Sequence, residues 1–174
     1  MPFILRTIRK ARWYKVEGVS WLGKGDLHAD PLADLNTKDN ELSVWLVEDD
    51  RSNLEQIVTA LAANRTHVSN LDYALLDLRL LSLLNTKIQY TMGGTPDEKA
   101  NALWHCDLVE LSALKIVELA KMILAEAERK RIPEREVRQL MTGAVASRRI
   151  ERTKLKDSLR DKIDKLITAD TPSP

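Results

Sequence analysis

A chain of 174 residues with 44% apolar and 30% charged side chains can bury a core without covalent staples and is too apolar to remain disordered. Lysine and arginine together number 27 against 26 acids, and a single cysteine, Cys106, excludes an internal disulfide or a four-thiolate zinc site. The near-neutral total hides three blocks. Residues 1–24 carry six bases and one acid, residues 25–128 eight bases and eighteen acids, and residues 129–165 thirteen bases and six acids. Such an arrangement lets the ends of a fold complement its middle, or steers a charged partner.

In chain order, Phe3–Ile8 is short, apolar and β-branched, which predicts a strand. Residues 18–40 hold Gly18, Gly23, Gly25, Pro31 and several aspartates and asparagines, the composition of a long loop. Leu42–Val47 is the clearest strand. Ser52-Asn53-Leu54-Glu55 has the spacing of a capping box, and Leu54, Ile57, Val58 and Leu61 follow as one helical face, so a helix is expected to about Asn64. The leucine-rich stretch 71–84 is ambiguous and is read as a strand over Asp72–Leu76 and a short helix over Leu78–Leu84. Ile88–Thr91 predicts another strand, and Thr95-Pro96-Asp97-Glu98 the start of a short helix.

Asp107-Leu108-Val109-Glu110 matches a further capping box, with Cys106 and Leu111 spaced as a hydrophobic staple. A helix over 107–128 is expected from it. Pro133 with Glu134 and Glu136 opens the next, over 134–148, and a polar break at Arg129–Pro133 would be the hairpin between them. A last helix, 151–167, carries Leu155, Leu159, Ile163 and Leu166 on one face. The order implies an α+β fold, possibly α/β. A mixed core over 1–106 would be followed by a helical region of about three helices packed on it over 107–167, with a disordered tail over 168–174.

Candidate sites are few. Asp26, His28 and Asp30 alternate in a loop but lack the spacing of a metal site, and neither metal nor cofactor is expected. Cys106 beside His105 is a poor nucleophile if it packs inward. His105, with Asp107 two positions on and Glu110 one turn further, is the best available general base. Gly93-Gly94 before a helix start has the flexibility of a phosphate cradle without a phosphate-loop pattern. Two basic tracts remain: Arg6, Arg9, Lys10, Arg12 and Lys15 around Trp13 and Tyr14, and Arg148, Arg149, Arg152, Lys154 and Lys156 near the C-terminus.

No catalytic constellation stands out. The leading expectation is therefore a protein–protein interaction module or small subunit of a cytoplasmic complex, self-associating or binding another protein through Leu155, Leu159, Ile163 and Leu166. The alternatives are a nucleic-acid-binding protein using Arg148, Arg149, Arg152 and Lys154, or a hydrolytic enzyme with His105 as base. The most apolar stretch, Leu111–Ala127, is broken by Lys115, Glu118, Lys121 and Glu126, so no membrane partner is expected.

Overall fold

The structure, a computed structural model, describes residues 1–13, 22 and 26–169. It is an α+β fold built on a six-stranded antiparallel sheet. The strands are β1 (Phe3–Ile8), β2 (Leu42–Val47), β3 (Leu71–Asp77), β4 (Lys87–Tyr90), β5 (His105–Val109) and β6 (Glu128–Ile132), in the order β4-β5-β2-β1-β3-β6. Six α-helices accompany them among the described residues: α1 (Lys10–Trp13), α2 (Leu54–Ala63), α3 (Glu98–Trp104), α4 (Ala113–Glu126), α5 (Glu134–Ala146) and α6 (Asp157–Ala169). Short 3-10 turns occupy Asp30–Asp34, Leu78–Leu84 and Arg152–Lys154.

Two crossovers explain the layers. β2 and β3 each run antiparallel to β1, so they are parallel to one another and α2 links them across β1. β5 and β6 pair antiparallel with β2 and β3, so they too are parallel, and α4 links them in the opposite strand direction. Crossovers of one hand over strands of opposite direction fall on opposite faces of the sheet. That is where the helices lie: α2 packs Ile57, Val58 and Ala60 with Leu5, Trp45, Val47 and Leu75, whereas α4 packs Leu119, Ala120 and Ile123 with Ile4, Val44, Leu76 and Leu108.

Coverage of both faces explains the difficulty of reading 71–76. β3 is buried at six successive positions, so alternation disappears from its sequence. α5 and α6 complete the first face, burying Val137, Met141 and Ala144 together with Leu155, Leu159 and Ile163.

Several expectations differ from the structure. The capping-box pattern at Asp107 does not start a helix, because His105–Val109 is β5, paired to β2 on one side and β4 on the other; α4 begins later, where the Ser112 hydroxyl accepts the Lys115 amide at 3.3 Å. The break at Arg129–Pro133 is largely β6, an edge strand whose charged sequence suits its position beside solvent. The expected division at residue 106 therefore falls inside β5, and the two regions share one sheet. At α2, Ser52 does not cap. Its hydroxyl donates to Glu48 at 2.6 Å, and Asn53 bridges β2 and the helix start by accepting the Glu48 amide and donating to Leu46 O, each at 3.0 Å. The expected tail reaches into α6 at 168–169, and residues 170–174 lie outside those described.

Candidate functional site

A cleft of about 620 Å³ opens at the end of the sheet where β1 stops and β3 begins, lined by Ile8, Arg9, Arg65, Thr66, His67, Ser69, Asn70, Asp72, Arg131 and Lys156. Its walls come from four parts of the chain. Arg9 follows β1, and Arg131 belongs to β6. Lys156 precedes α6. Arg65 to Asn70 form the loop after α2, whose Val68 is 4% exposed and anchors the loop in the first core while Thr66 and His67 face outward.

Four cationic side chains thus surround one carboxylate, Asp72, which is buried and held by Arg131 through Nε at 2.7 Å and Nη2 at 2.9 Å. Arg65 donates through Nη1 to Ser69 Oγ at 3.1 Å and to Asn70 O at 2.7 Å. Burial pulls its pKa below the ordinary guanidinium value, and the nearby Asp72 charge opposes that pull. A partly desolvated guanidinium favours an anion beside it. Lys156 Nζ donates to Asn64 O at 2.8 Å, and the Arg9 side chain is exposed at the cleft rim.

A second cavity, of about 210 Å³, lies on the α2 face of the sheet and is lined by Leu5, Arg6, Thr7, Ser43, Trp45, Leu61, Asn64, Gly94, Thr95 and His105. His105 and Asp107 alternate on β5 opposite Trp45 and Ser43, with Cys106 and Leu108 turned to the other face. Thr91, just beyond β4, joins them: its hydroxyl lies 2.6 Å from Asp107 Oδ2 and 2.9 Å from His105 Nδ1, and its carbonyl oxygen is 3.2 Å from the same nitrogen. The Trp45 ring meets the imidazole edge-on, with centroids 5.1 Å apart. His105 and Asp107 are each 8% exposed.

His105 and Asp107 are therefore brought together, by a threonine that sequence spacing did not reveal. Glu110 is not part of the group. It adopts φ 60° after β5 and pairs with Lys87 at 2.6 Å, which lowers its pKa.

The C-terminal tract is occupied within the chain. Lys154 Nζ lies 2.6 Å from Glu98, Arg152 pairs with Asp164, and Arg149 lies 3.9 Å from Glu55 and 4.0 Å from the buried Asp97; Arg148 is exposed. In the N-terminal tract, Arg6 donates to Asp34 O and Ser43 O, and Arg12 pairs with Asp34 at 2.8 Å. Tyr14 and Lys15 lie outside the described residues. The expected interface stripe faces inward, with Leu155, Leu159 and Ile163 at 3%, 0% and 0% exposure and Leu166 packed against the same core. This corrects the docking role expected of that helix.

The Gly93-Gly94 cradle is also taken. Asp97 caps α3 by accepting the Ala100 amide at 2.9 Å, placing a carboxylate where an anion would sit. Gly93 has a packing reason instead, since a Cβ there would come within 2.7 Å of Asn101 Oδ1. His28 Nδ1 lies 3.7 Å from Asp30, and among the described residues no group of three or more His, Cys, Asp or Glu is placed to hold a metal ion. No described helix is long and apolar enough to cross a membrane.

Cys106 is fully buried, and burial with the Asp107 charge beside it pushes its thiol up to about 12. A thiol-specific reagent at pH 8 should label the native protein at least about a hundredfold more slowly than the urea-unfolded chain, because access and thiolate are both suppressed. Comparable rates in the two states would contradict the placement of Cys106.

No family model, curated protein or solved structure matches the chain.

Proposed function

We propose that this chain is a nucleic-acid-binding protein that holds the phosphate backbone in the cleft formed by Arg9, Arg65, Arg131 and Lys156. The observation that carries this reading is the convergence of four cations on a concave surface with one carboxylate, itself neutralised by Arg131. Ser69, Thr66 and Asn70 add hydrogen-bonding groups to the same wall. Such a surface recognises repeated anionic charge, and backbone contacts of this kind carry little sequence information. The described lining holds no phenylalanine, tyrosine or tryptophan and offers the His67 imidazole alone for base stacking, so weak sequence preference and strong salt dependence are expected.

This places the contact away from Arg148, Arg149, Arg152 and Lys154. The test compares two sets of variants by fluorescence anisotropy against a labelled single-stranded oligonucleotide at several salt concentrations. The pair Arg9→Gln and Lys156→Gln removes two exposed cations and should reduce the log–log salt slope by about 1.4, at roughly 0.7 per phosphate contact. Arg148→Gln, Arg149→Gln and Arg152→Gln together should leave that slope nearly unchanged. The opposite ranking, or a slope untouched by the cleft pair, would overturn the reading.

A further inference from the structure

We propose that the cavity beside His105 receives the sugar of one unpaired nucleotide and separates RNA from DNA through its 2′-hydroxyl, an inference that rests on the phosphate-binding reading of the neighbouring cleft. The tautomer of His105 follows from its surroundings. The Asp107 carboxylate accepts the only proton of the Thr91 hydroxyl, at 2.6 Å, so that oxygen can only accept from the imidazole. The Thr91 carbonyl, 3.2 Å away, also only accepts. Both neighbours therefore call for a proton on Nδ1, and the lone pair resides on Nε2. Nε2 takes no hydrogen bond from the described residues, although the histidine is only 8% exposed and lines the cavity. An acceptor open to the cavity in this way can take a hydrogen bond from a ligand that donates to it.

The cavity walls indicate the donor. Thr7, Ser43, Asn64 and Thr95 supply hydroxyl and amide groups around His105, with Trp45 and Leu61 as the apolar part. This suits a compact ring carrying several hydroxyls. At about 210 Å³ the cavity is smaller than the ~300–1,000 Å³ of sites for drug-sized ligands, so one ring is the appropriate scale. The cavity and the cleft also adjoin along the chain at two places. Thr7 lines the first while Ile8 and Arg9 line the second, and Asn64 lines the first while Arg65 lines the second. On this reading a strand whose phosphates lie in the cleft would present one sugar to the cavity. Deoxyribose lacks the hydroxyl that Nε2 would accept from, and the 2′-hydroxyl is the group by which proteins distinguish the two polymers.

The experiment measures binding of fluorescein-labelled oligo(A) and oligo(dA) of equal length, which differ only in the sugar. Wild type should bind the RNA about five- to tenfold more tightly, the size expected of one hydrogen bond. His105→Asn keeps a donor for Thr91 and removes the Nε2 acceptor. It should bring the ratio close to one while leaving the DNA affinity unchanged. A 2′-fluoro oligo(A), which keeps the ribose pucker and lacks the donor proton, should bind wild type no more tightly than oligo(dA) and carries the test if H105N does not fold; a 2′-fluoro strand bound as tightly as oligo(A) would overturn the inference. Equal affinities in wild type, or a preference that survives in folded H105N, would overturn the inference and leave the cleft reading standing. Failure to bind either oligonucleotide would overturn both.

Discussion

Leu159→Asp should unfold this chain. Leu159 has no solvent exposure and sits among Leu155, Ile163 and the residues that α2 and α5 contribute to the first core. An aspartate there places a carboxylate among apolar side chains with no partner. Losing the leucine contacts alone costs about 2–5 kcal/mol, and the stranded charge adds to that. The total approaches the whole stability of an ordinary domain, about 5–15 kcal/mol. Circular dichroism at 25 °C should show loss of the native helical signal, and the milder Leu159→Ala should lower the urea midpoint by an amount equivalent to roughly 3 kcal/mol. A folded, monomeric L159D protein that had merely lost an association would restore the docking role for α6.

Asp34→Ala should have the second largest effect. The Asp34 carboxylate accepts the Trp13 indole N–H at 2.8 Å, the Arg9 amide at 2.7 Å and the Arg12 guanidinium at 2.8 Å. Trp13 is 1% exposed, so the substitution leaves a buried indole donor and a half-buried guanidinium without their acceptor. Removing one partner from such a group costs roughly 3–5 kcal/mol, mostly through the polar atoms left behind. Asp34→Asn preserves an acceptor and should lose less than half as much. Urea denaturation followed by tryptophan fluorescence measures both variants. Equal and small losses would mean that Trp13 and Arg12 find other partners. Because Arg9 leaves β1 through the same contact, D34A should also weaken oligonucleotide binding where the protein remains folded.

The parts of this fold that local chemistry decides were legible in the sequence. Leu42–Val47 is β2, the helix expected after Asn53 is α2, and Pro133 with Glu134 and Glu136 does stand at the start of α5. The segments that failed are those decided by distant partners. His105–Val109 carries a capping pattern, yet backbone pairing with both β2 and β4 takes it into the sheet. Glu128–Ile132 has almost no apolar residue, but on a sheet edge one pairing with β3 suffices. The stripe of α6 was legible as a stripe. Whether it met its own core or another chain was not, since amphipathic spacing is the same in both cases.

The candidate sites follow the same division. His105 with Asp107 could be named because they lie two residues apart, and period two places them on one face of a strand. Thr91 joins them only through the β4–β5 pairing. The cleft had no linear signature. Arg9, Arg65, Arg131 and Lys156 come from all three charge blocks, and Arg65 lies within the acidic one. The dense runs that drew attention at the two ends are largely neutralised by Asp34, Asp97, Glu98 and Asp164. Folding makes the basic surface from one member of each tract, Arg9 and Lys156, together with Arg65 and Arg131, so charge density along the chain indicates only half of it.

The most direct test of the central proposal is an amide chemical-shift map of the isotopically labelled protein titrated with a short single-stranded oligonucleotide at low salt. The account predicts shifts concentrated at Arg9, over Arg65 to Asn70, at Arg131 and at Lys156, diminishing as salt is raised. Shifts confined to Arg148–Lys154, or a spectrum that the oligonucleotide leaves unchanged, would contradict it.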